Sequence, residues 1–205
     1  MASTAEGSSV LALVREDLGC HGRDWTAPGF QALAVYRFGR HVRTMPGAGG
    51  KVLRRVHRLL FVFVRNVYGI ELHPETVIGR RMHFGHQHGV VIHPNTVFGD
   101  DCVMRHNVTI GVGIAGKRSD EAPVFGDRVK FGPGAVVLGG VTVGDDVRIG
   151  PNTLVMSDVP SGAHVLEKPT RVLQLQKPAT NGNGSAAAGV VEPVAPVEPV
   201  EPGRA

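Results

Sequence analysis

Between Leu72 and Val155 an apolar residue returns at every sixth position. One block runs Leu72, Ile78, Phe84, Val90, and a second runs Ile92, Phe98, Met104, Ile110. A third runs Phe125, Phe131, Val137, Val143, Ile149, Val155. Glycine follows the repeat residue directly at Gly79, Gly85, Gly99, Gly111, Gly126, Gly132, Gly144 and Gly150. A period of six matches neither an α-helix nor a half-buried strand, whose periods are 3.6 and 2.0. It is the period of a parallel β-helix, in which each hexad contributes one short strand and three hexads close one coil. The chain is therefore expected to be mainly β, a hexapeptide-repeat β-helix over about residues 70–160.

Composition narrows the function classes. The formal net charge is +4 and the 28 glycines suit corners where the backbone needs φ > 0. The cations concentrate in Arg40, Arg43, Lys51, Arg54, Arg55, Arg58 and Arg65. That segment lacks aromatic interleaving and any nucleic-acid reader motif, so it reads as a solvated helix face and no nucleic-acid partner is expected. Cys20 and Cys102 are far apart and outside any CxxC context, which fits reduced, structural thiols in a cytoplasmic protein. The N-terminus shows no signal-peptide core. The apolar run Leu59–Val64 is far shorter than the ~20 residues that span a bilayer. It is expected to pack on the end of the β-helix or on another subunit, without stable membrane insertion.

Three helices are predicted before the repeat, within an N-terminal region of residues 1–69. The first runs from Ser9, a possible N-cap, to about Cys20, and the second from Pro28 to about Val42. Pro46–Gly50 reads as a loop. The third runs from Lys51 to about Val67, with basic residues on one side and Leu53, Val56, Leu60 and Val64 on the other. The β-helix domain is assigned to residues 70–173 and a disordered Pro/Val/Glu-rich tail to residues 174–205. The hexad rhythm breaks twice. It slips by two between Val90 and Ile92, which predicts a small bulge there. It is lost between Ile110 and Phe125, which predicts that residues 111–124 leave the coil as an extruded loop.

Five of the ten histidines fall between His73 and His93, namely His73, His83, His86, His88 and His93. A metal site would need three or four of them to converge, and the spacing argues against one. Acid–base chemistry is the better reading, because a neutral imidazole can take a proton from a hydroxyl near pH 7. With the two-residue slip included, His86 lies one coil from His106, about 4.8 Å away along the solenoid. His88 is a third candidate on that wall. His73 and His93 precede prolines and read as turn residues. Glu71 starts the first coil, and its place in sequence does not set its distance from His86.

The stretch GIELHPETVIGRRMHFGHQHGVVIHPNTVFGDDC resembles the hexapeptide-repeat serine O-acetyltransferases. That family carries an acid-Ile-His-Pro segment, a histidine before a Gly-aliphatic-Val run, and a Val-Thr-aliphatic-Gly coil. Here these are Glu71–Pro74, His86–Val91 and Val108–Gly111. The resemblance covers about residues 70–173, and the N-terminal part looks like the shorter members of polysaccharide and specialised gene clusters. It implies a left-handed hand, a homotrimer, and acetyl-CoA lying in a groove between neighbouring β-helices, with no metal. His86 falls on the family's general base and Glu71 on its acidic partner. Gly111, Gly113, Gly132, Pro133, Gly134, Arg148, Pro151, Lys168 and Arg171 are the implied cofactor-binding positions.

The chain also departs from the family pattern. The acid before the base is Gly85, and an Arg-His pair of the extruded loop that helps to bind serine is replaced by Glu121-Ala122. His88, His106, Arg105 and Arg118 are the candidate substitutes on the acceptor side. The activity implied is acetyl transfer from acetyl-CoA to a hydroxyl acceptor, L-serine by resemblance. A sugar or other hydroxylated metabolite, a non-catalytic trimeric scaffold, and a metal-dependent hydratase are the alternatives.

Overall fold

The computed structural model describes residues 9–113 and 121–167. Three helices lead into the repeat: α1 (Val10–Cys20), α2 (Pro28–Arg43) and α3 (Gly47–Phe63). A single π-helical turn, Val64–Tyr68, follows and ends at Gly69 with φ 62°. Ser9 stands at the N-cap of α1 but makes no side-chain cap bond. The glycine run read as a loop is instead the first turn of α3. Gly50 lies so close to Met45 that a Cβ there would be 2.3 Å from its carbonyl oxygen. Arg54 donates to the carbonyls of Met45 and Val42 across the same connection. Here glycine serves a close approach at a helix start rather than a break.

Fourteen short strands follow among the described residues and form three parallel sheets. The first sheet stacks β1 (Ile70–Leu72), β4 (Val90–Ile92), β7 (Thr109–Gly111), β10 (Val136–Leu138) and β13 (Leu154–Val155). The second stacks β2 (Val77–Ile78), β5 (Val97–Phe98), β8 (Val124–Phe125) and β11 (Thr142–Val143). The third stacks β3 (His83–Phe84), β6 (Val103–Met104), β9 (Lys130–Phe131), β12 (Arg148–Ile149) and β14 (His164–Val165). Each of the first four coils supplies one strand to each sheet, as the period of six requires; the last supplies β13 and β14 and, in the second sheet, only a bridge from Val159 to Val143.

The register locates the first break differently from the sequence reading. Leu72 pairs with Ile92 and Ile70 with Val90, a step of 20 residues. The regular step is 18, as where Val124 meets Thr142. It is 27 where Val103 meets Lys130, across the segment read as leaving the coil over 111–124; Gly111 and Val124, the ends of that reading, are themselves strand residues of β7 and β8. Val90 is thus not a repeat residue but the inward neighbour two places before Ile92, since alternate residues of a strand share a face. The two extra residues sit in the corner 85–89, which carries His86 and His88.

A second inward column, two residues before each repeat position, completes the core. It includes Thr76, Met82, Thr96, Cys102, Val108, Val129, Ala135, Val141, Val147 and Thr153, all buried. Burial pushes the Cys102 thiol up to about 12, and the Cys20 thiol, also mainly by burial, up to about 11. Both cysteines are free. At the wide end of the core, Phe98 and Phe125 stack at 4.9 Å and 11°, and Phe131 meets Phe125 edge-on at 4.9 Å.

The repeat glycines turn out not to supply positive φ. At the hairpin-like corners that conformation is adopted by Arg81, Asp101, Asn107, Arg128, Asp146 and Asn152. The repeat glycines instead let successive coils touch. A Cβ on Gly99 would lie 2.2 Å from Asp127 Oδ1 and 2.6 Å from the Gly126 backbone. The same contact is an aspartate ladder: Asp100, Asp127 and Asp145 each accept a backbone N–H from the coil before, from Arg80, Asp100 and Asp127 in turn.

The helices close the N-terminal end of the solenoid, where the first coil would otherwise expose an unpaired edge. Tyr36 of α2 donates its hydroxyl to the Thr76 carbonyl and accepts the Ile78 N–H. Arg37 reaches the carbonyls of Ile78 and Gly79 while its guanidinium pairs with buried Asp17 of α1. α3 packs less than predicted. Val56 and Leu60, read as part of its packed side, are 41% and 40% exposed, and within α3 only Gly50 is buried.

Phe125→Ala should destabilise the protein by about 3–5 kcal/mol in denaturant unfolding, because a stacked core ring is deleted. Met156→Ala, at a position 55% exposed, should change stability by no more than about 0.5 kcal/mol.

Candidate active site

The corner joining the third sheet to the first repeats down the solenoid as residues 85–89, 105–107, 132–134 and 150–152. Backbone bonds tie these corners together: Asn107 N–H to the His88 carbonyl, Gly134 N–H to His106, and Asn152 N–H to Pro133. Phe84 pairs with Met104, and the two histidines that follow two places later stand one above the other. The rings of His86 and His106 are 5.8 Å apart at 68°. His86 is exposed, and His106 is half-buried, with a buried Nδ1 that has no protein partner among the described residues.

His83 joins this cluster from β3. Its ring lies 4.5 Å from that of His21, and its Nδ1 is buried. His21 is fixed as one tautomer: its Nε2 accepts the Phe84 N–H, so Nδ1 carries the proton and donates to the Asp17 carbonyl at 2.6 Å. Burial, reinforced by His21, Arg105 and His86, holds His83 below the ordinary histidine value. The absent side chain at Gly85 leaves Arg105 room to lie alongside, since a Cβ there would already touch Arg105 Cδ at 3.4 Å.

A shallow open groove of about 370 Å³ runs from this corner across the outer face of the third sheet. Strand register sets Val103, Lys130 and Arg148 in one outward column, because each directly precedes an inward repeat residue. Arg105, Gly132 and Pro133 form the corner side of the groove. Three cations, Arg105, Lys130 and Arg148, therefore line it; neither histidine of the pair does, but Arg105 directly precedes His106 in the corner. Such a surface suits a ligand carrying several phosphates.

The sequence-predicted residues divide accordingly. His86, His106, Arg105, Gly132, Pro133 and Arg148 come together. Gly134 lies at the same corner with φ +71°, and Pro151 lies in the next corner against Gly132. Gly111 and Gly113 sit at the far end of β7, beyond the opposite edge of the first sheet from this groove. His88 is a positive-φ turn residue that bonds the Tyr68 carbonyl through its backbone, with its ring against Gly69. Lys168, Arg171 and Arg118 lie outside the described residues.

Glu71 does not meet His86 in this structure. Its Oε1 lies 3.0 Å from His73 Nε2, and Phe61 packs on the His73 ring at 5.1 Å. Residues two apart on a strand share a face, so the local partner is favoured over one on another edge of the coil. His73, read as a turn residue, thus has a carboxylate partner. Lys130 was missed by the sequence reading. The signal was present, because Lys130 precedes Phe131 as Arg148 precedes Ile149, one regular coil away. Among the described residues no three His, Cys, Asp or Glu side chains converge as a metal would require.

The repeat and the coil geometry place the chain among the hexapeptide-repeat transferase scaffolds. The family pattern described as bacterial transferase hexapeptide (six repeats) matches residues 122–156. A serine acetyltransferase of Mycobacterium tuberculosis is 40% identical over 131 residues, 63% of this chain and 56% of the relative. One from Helicobacter pylori is 40% identical over 116 residues, 57% of this chain and 64% of the relative. Among solved structures, serine acetyltransferase isoform 3 from Entamoeba histolytica, in complex with cysteine, superposes with a TM-score of 0.67 at 26% identity. The superposition covers 82% of this chain and 61% of that one. The soybean enzyme complexed with serine gives 0.64 at 27%, covering 80% and 69%. The chain carries the hexapeptide repeat, is similar in sequence to serine acetyltransferases, and shares the left-handed parallel β-helix of its structural neighbours. It spans 56% and 64% of the lengths of the two curated relatives.

The depressed folded-state value of His83 sets a sign. Its contribution to stability is complete above the ordinary value of 6.5 and is lost as pH falls below it toward the folded value. His57, depressed mainly by burial, adds in the same direction. Thermal unfolding should show a midpoint that falls on acidification through that window. His83→Gln should flatten the fall, and the His57→Gln, His83→Gln pair should flatten it further.

Proposed function

We propose that the protein is an acetyl-CoA-dependent O-acetyltransferase acting on a hydroxyl acceptor. L-serine is the acceptor suggested by the names of its relatives. The observation that carries this reading is the His86–His106 pair in the corner that also holds Arg105, which with Lys130 and Arg148 lines the groove on the adjoining sheet. A base and a polyanion-binding surface are then adjacent, as transfer from a coenzyme with several phosphates demands.

In the proposed reaction the acceptor hydroxyl sits against His86. A ring nitrogen of His86 takes the hydroxyl proton as the oxygen bonds to the thioester carbonyl carbon. Collapse of the tetrahedral intermediate breaks the carbon–sulfur bond, and the imidazolium returns its proton to the departing thiolate. The product is the O-acetyl ester and free coenzyme A. His106, whose ring meets that of His86 edge-on at 5.8 Å, orients His86. Glu71 is assigned no part in the proton transfer, because it is bonded to His73. Arg105, Lys130 and Arg148 hold coenzyme phosphates, each as a point or fork of positive charge.

A second acceptor class, a sugar or other hydroxylated metabolite, is favoured by one feature. The described acceptor side offers Arg105 and two histidines but has Gly85 where the family has an acid, and Glu121-Ala122 where it has Arg-His. A homotrimer is part of the same reading. Its support is the outward column Val91, Thr109, Val136 and Leu154 of the first sheet, largely apolar and partly exposed. The two free cysteines suit a reducing, cytoplasmic compartment.

The test is thiol release from acetyl-CoA by purified protein given L-serine, homoserine or a panel of sugars. His86→Ala should lower kcat by about 10²–10⁴-fold. Lys130→Ala and Arg148→Ala should raise KM for acetyl-CoA with kcat largely retained. No thiol release with any acceptor, or full activity in His86→Ala, would sink the proposal.

A further inference from the structure

α3 presents an apolar face that nothing among the described residues covers. Val52, Val56, Leu59, Leu60 and Phe63, with Val67 from the following turn, are between 40% and 72% exposed. Their spacing puts them along one side of the helix. Arg54 and Phe61 point elsewhere, toward the α2 connection and His73. The face is bordered by Lys51, Arg55 and Arg58, all exposed and without an acidic partner among the described residues.

The charge around it is one-sided. No Asp or Glu occurs from Trp25 through Ile70. Within that stretch Arg37 is committed to Asp17 and Arg43 to Glu75, whereas Lys51, Arg55, Arg58 and Arg65 have no carboxylate partner among the described residues. Aromatic groups gather at the C-terminal end of the helix. Phe63 meets Tyr68 edge-on at 5.5 Å, and the Gln31 side chain links the Tyr68 hydroxyl to the carbonyl of Trp25, whose own side chain is 70% exposed.

We propose that this face docks on an anionic phospholipid surface. α3 lies in the plane of the interface, with Leu59, Phe63 and their neighbours at the acyl boundary and Lys51, Arg55 and Arg58 reaching headgroup phosphates. This is the pattern of an in-plane amphipathic helix, apolar on one side and rich in Lys and Arg beside it. Juxtaposed cations gain from the negative potential of such a leaflet, and their aliphatic stems extend the apolar contact. The contact is peripheral, because no helix among the described residues is long and apolar enough to cross a membrane. A second copy of the same face fits less well. It would set two cationic borders side by side with no carboxylate on α2, α3 or their connection to neutralise them.

Cosedimentation of the full-length protein with vesicles tests this. Phosphatidylcholine vesicles containing phosphatidylglycerol should bind it, and pure phosphatidylcholine vesicles or high salt should bind it weakly. The Leu59→Asp, Phe63→Asp pair should lower partitioning by about tenfold or more. Arg55→Glu with Arg58→Glu should abolish the preference for phosphatidylglycerol. Circular dichroism establishes that each variant is folded; if the aspartate pair is not, the charge-reversal pair carries the test. Absence of wild-type binding, or binding unchanged in the folded variants, overturns the proposal. A smaller assembly on sedimentation of the aspartate pair, without vesicle binding by the wild type, assigns the face to a second copy instead.

Discussion

The whole molecule depends on how closely one coil can sit on the next. Strand hydrogen bonding sets the rise per coil at about 4.8 Å, and every side chain at a corner must fit inside that distance. Gly79, Gly99, Gly126 and Gly144 fit because they have no Cβ, and the space left is filled by aspartate oxygens of the following coil at the first three and by Ser161 Oγ at Gly144. Those oxygens accept N–H groups that the turn would otherwise leave unpaired. The close approach thus satisfies backbone polarity and aligns the register in one step. A register so tightly held is what stacks the residues of a corner in columns.

The candidate site is a product of two such columns. One is the corner column that carries His86 above His106, and the other is the outward column of Lys130 and Arg148 on the adjoining sheet. Neither needs a specialised loop. Chemistry follows from which residue types occupy equivalent positions on successive coils. The two residues inserted in the 85–89 corner lengthen that turn and bring His86 and His88 outward at the end of the first coil.

The helical cap does a different job at the other end of the same elements. Arg37 covers the carbonyls of Ile78 and Gly79 and is itself neutralised by Asp17, so that a buried charge is paired and hydrogen-bonded. α1 also sets the tautomer of His21, whose Nε2 receives the Phe84 N–H beside His83. The cap is therefore connected to the histidine cluster through particular bonds. α3, by contrast, leaves most of its apolar surface outside this packing.

The spacing of apolar residues by itself determined the solenoid, the three-strand coil and the stacking of His86 on His106, because each depends only on counting positions along a periodic backbone. Counting could also have found Lys130, which obeys the same register as Arg148. Only the tertiary structure decided the rest. It assigned Val90 to the second inward column, since two inward neighbours in one strand look alike in sequence. It turned the glycines from flexible corners into points of contact, which requires knowing what lies on the next coil. It gave Glu71 to His73 rather than His86, because side-chain direction and the Phe61 ring choose among partners that sequence spacing leaves equally available. Periodicity specifies where a residue stands along the coil. Which neighbour its side chain touches is settled by packing between elements.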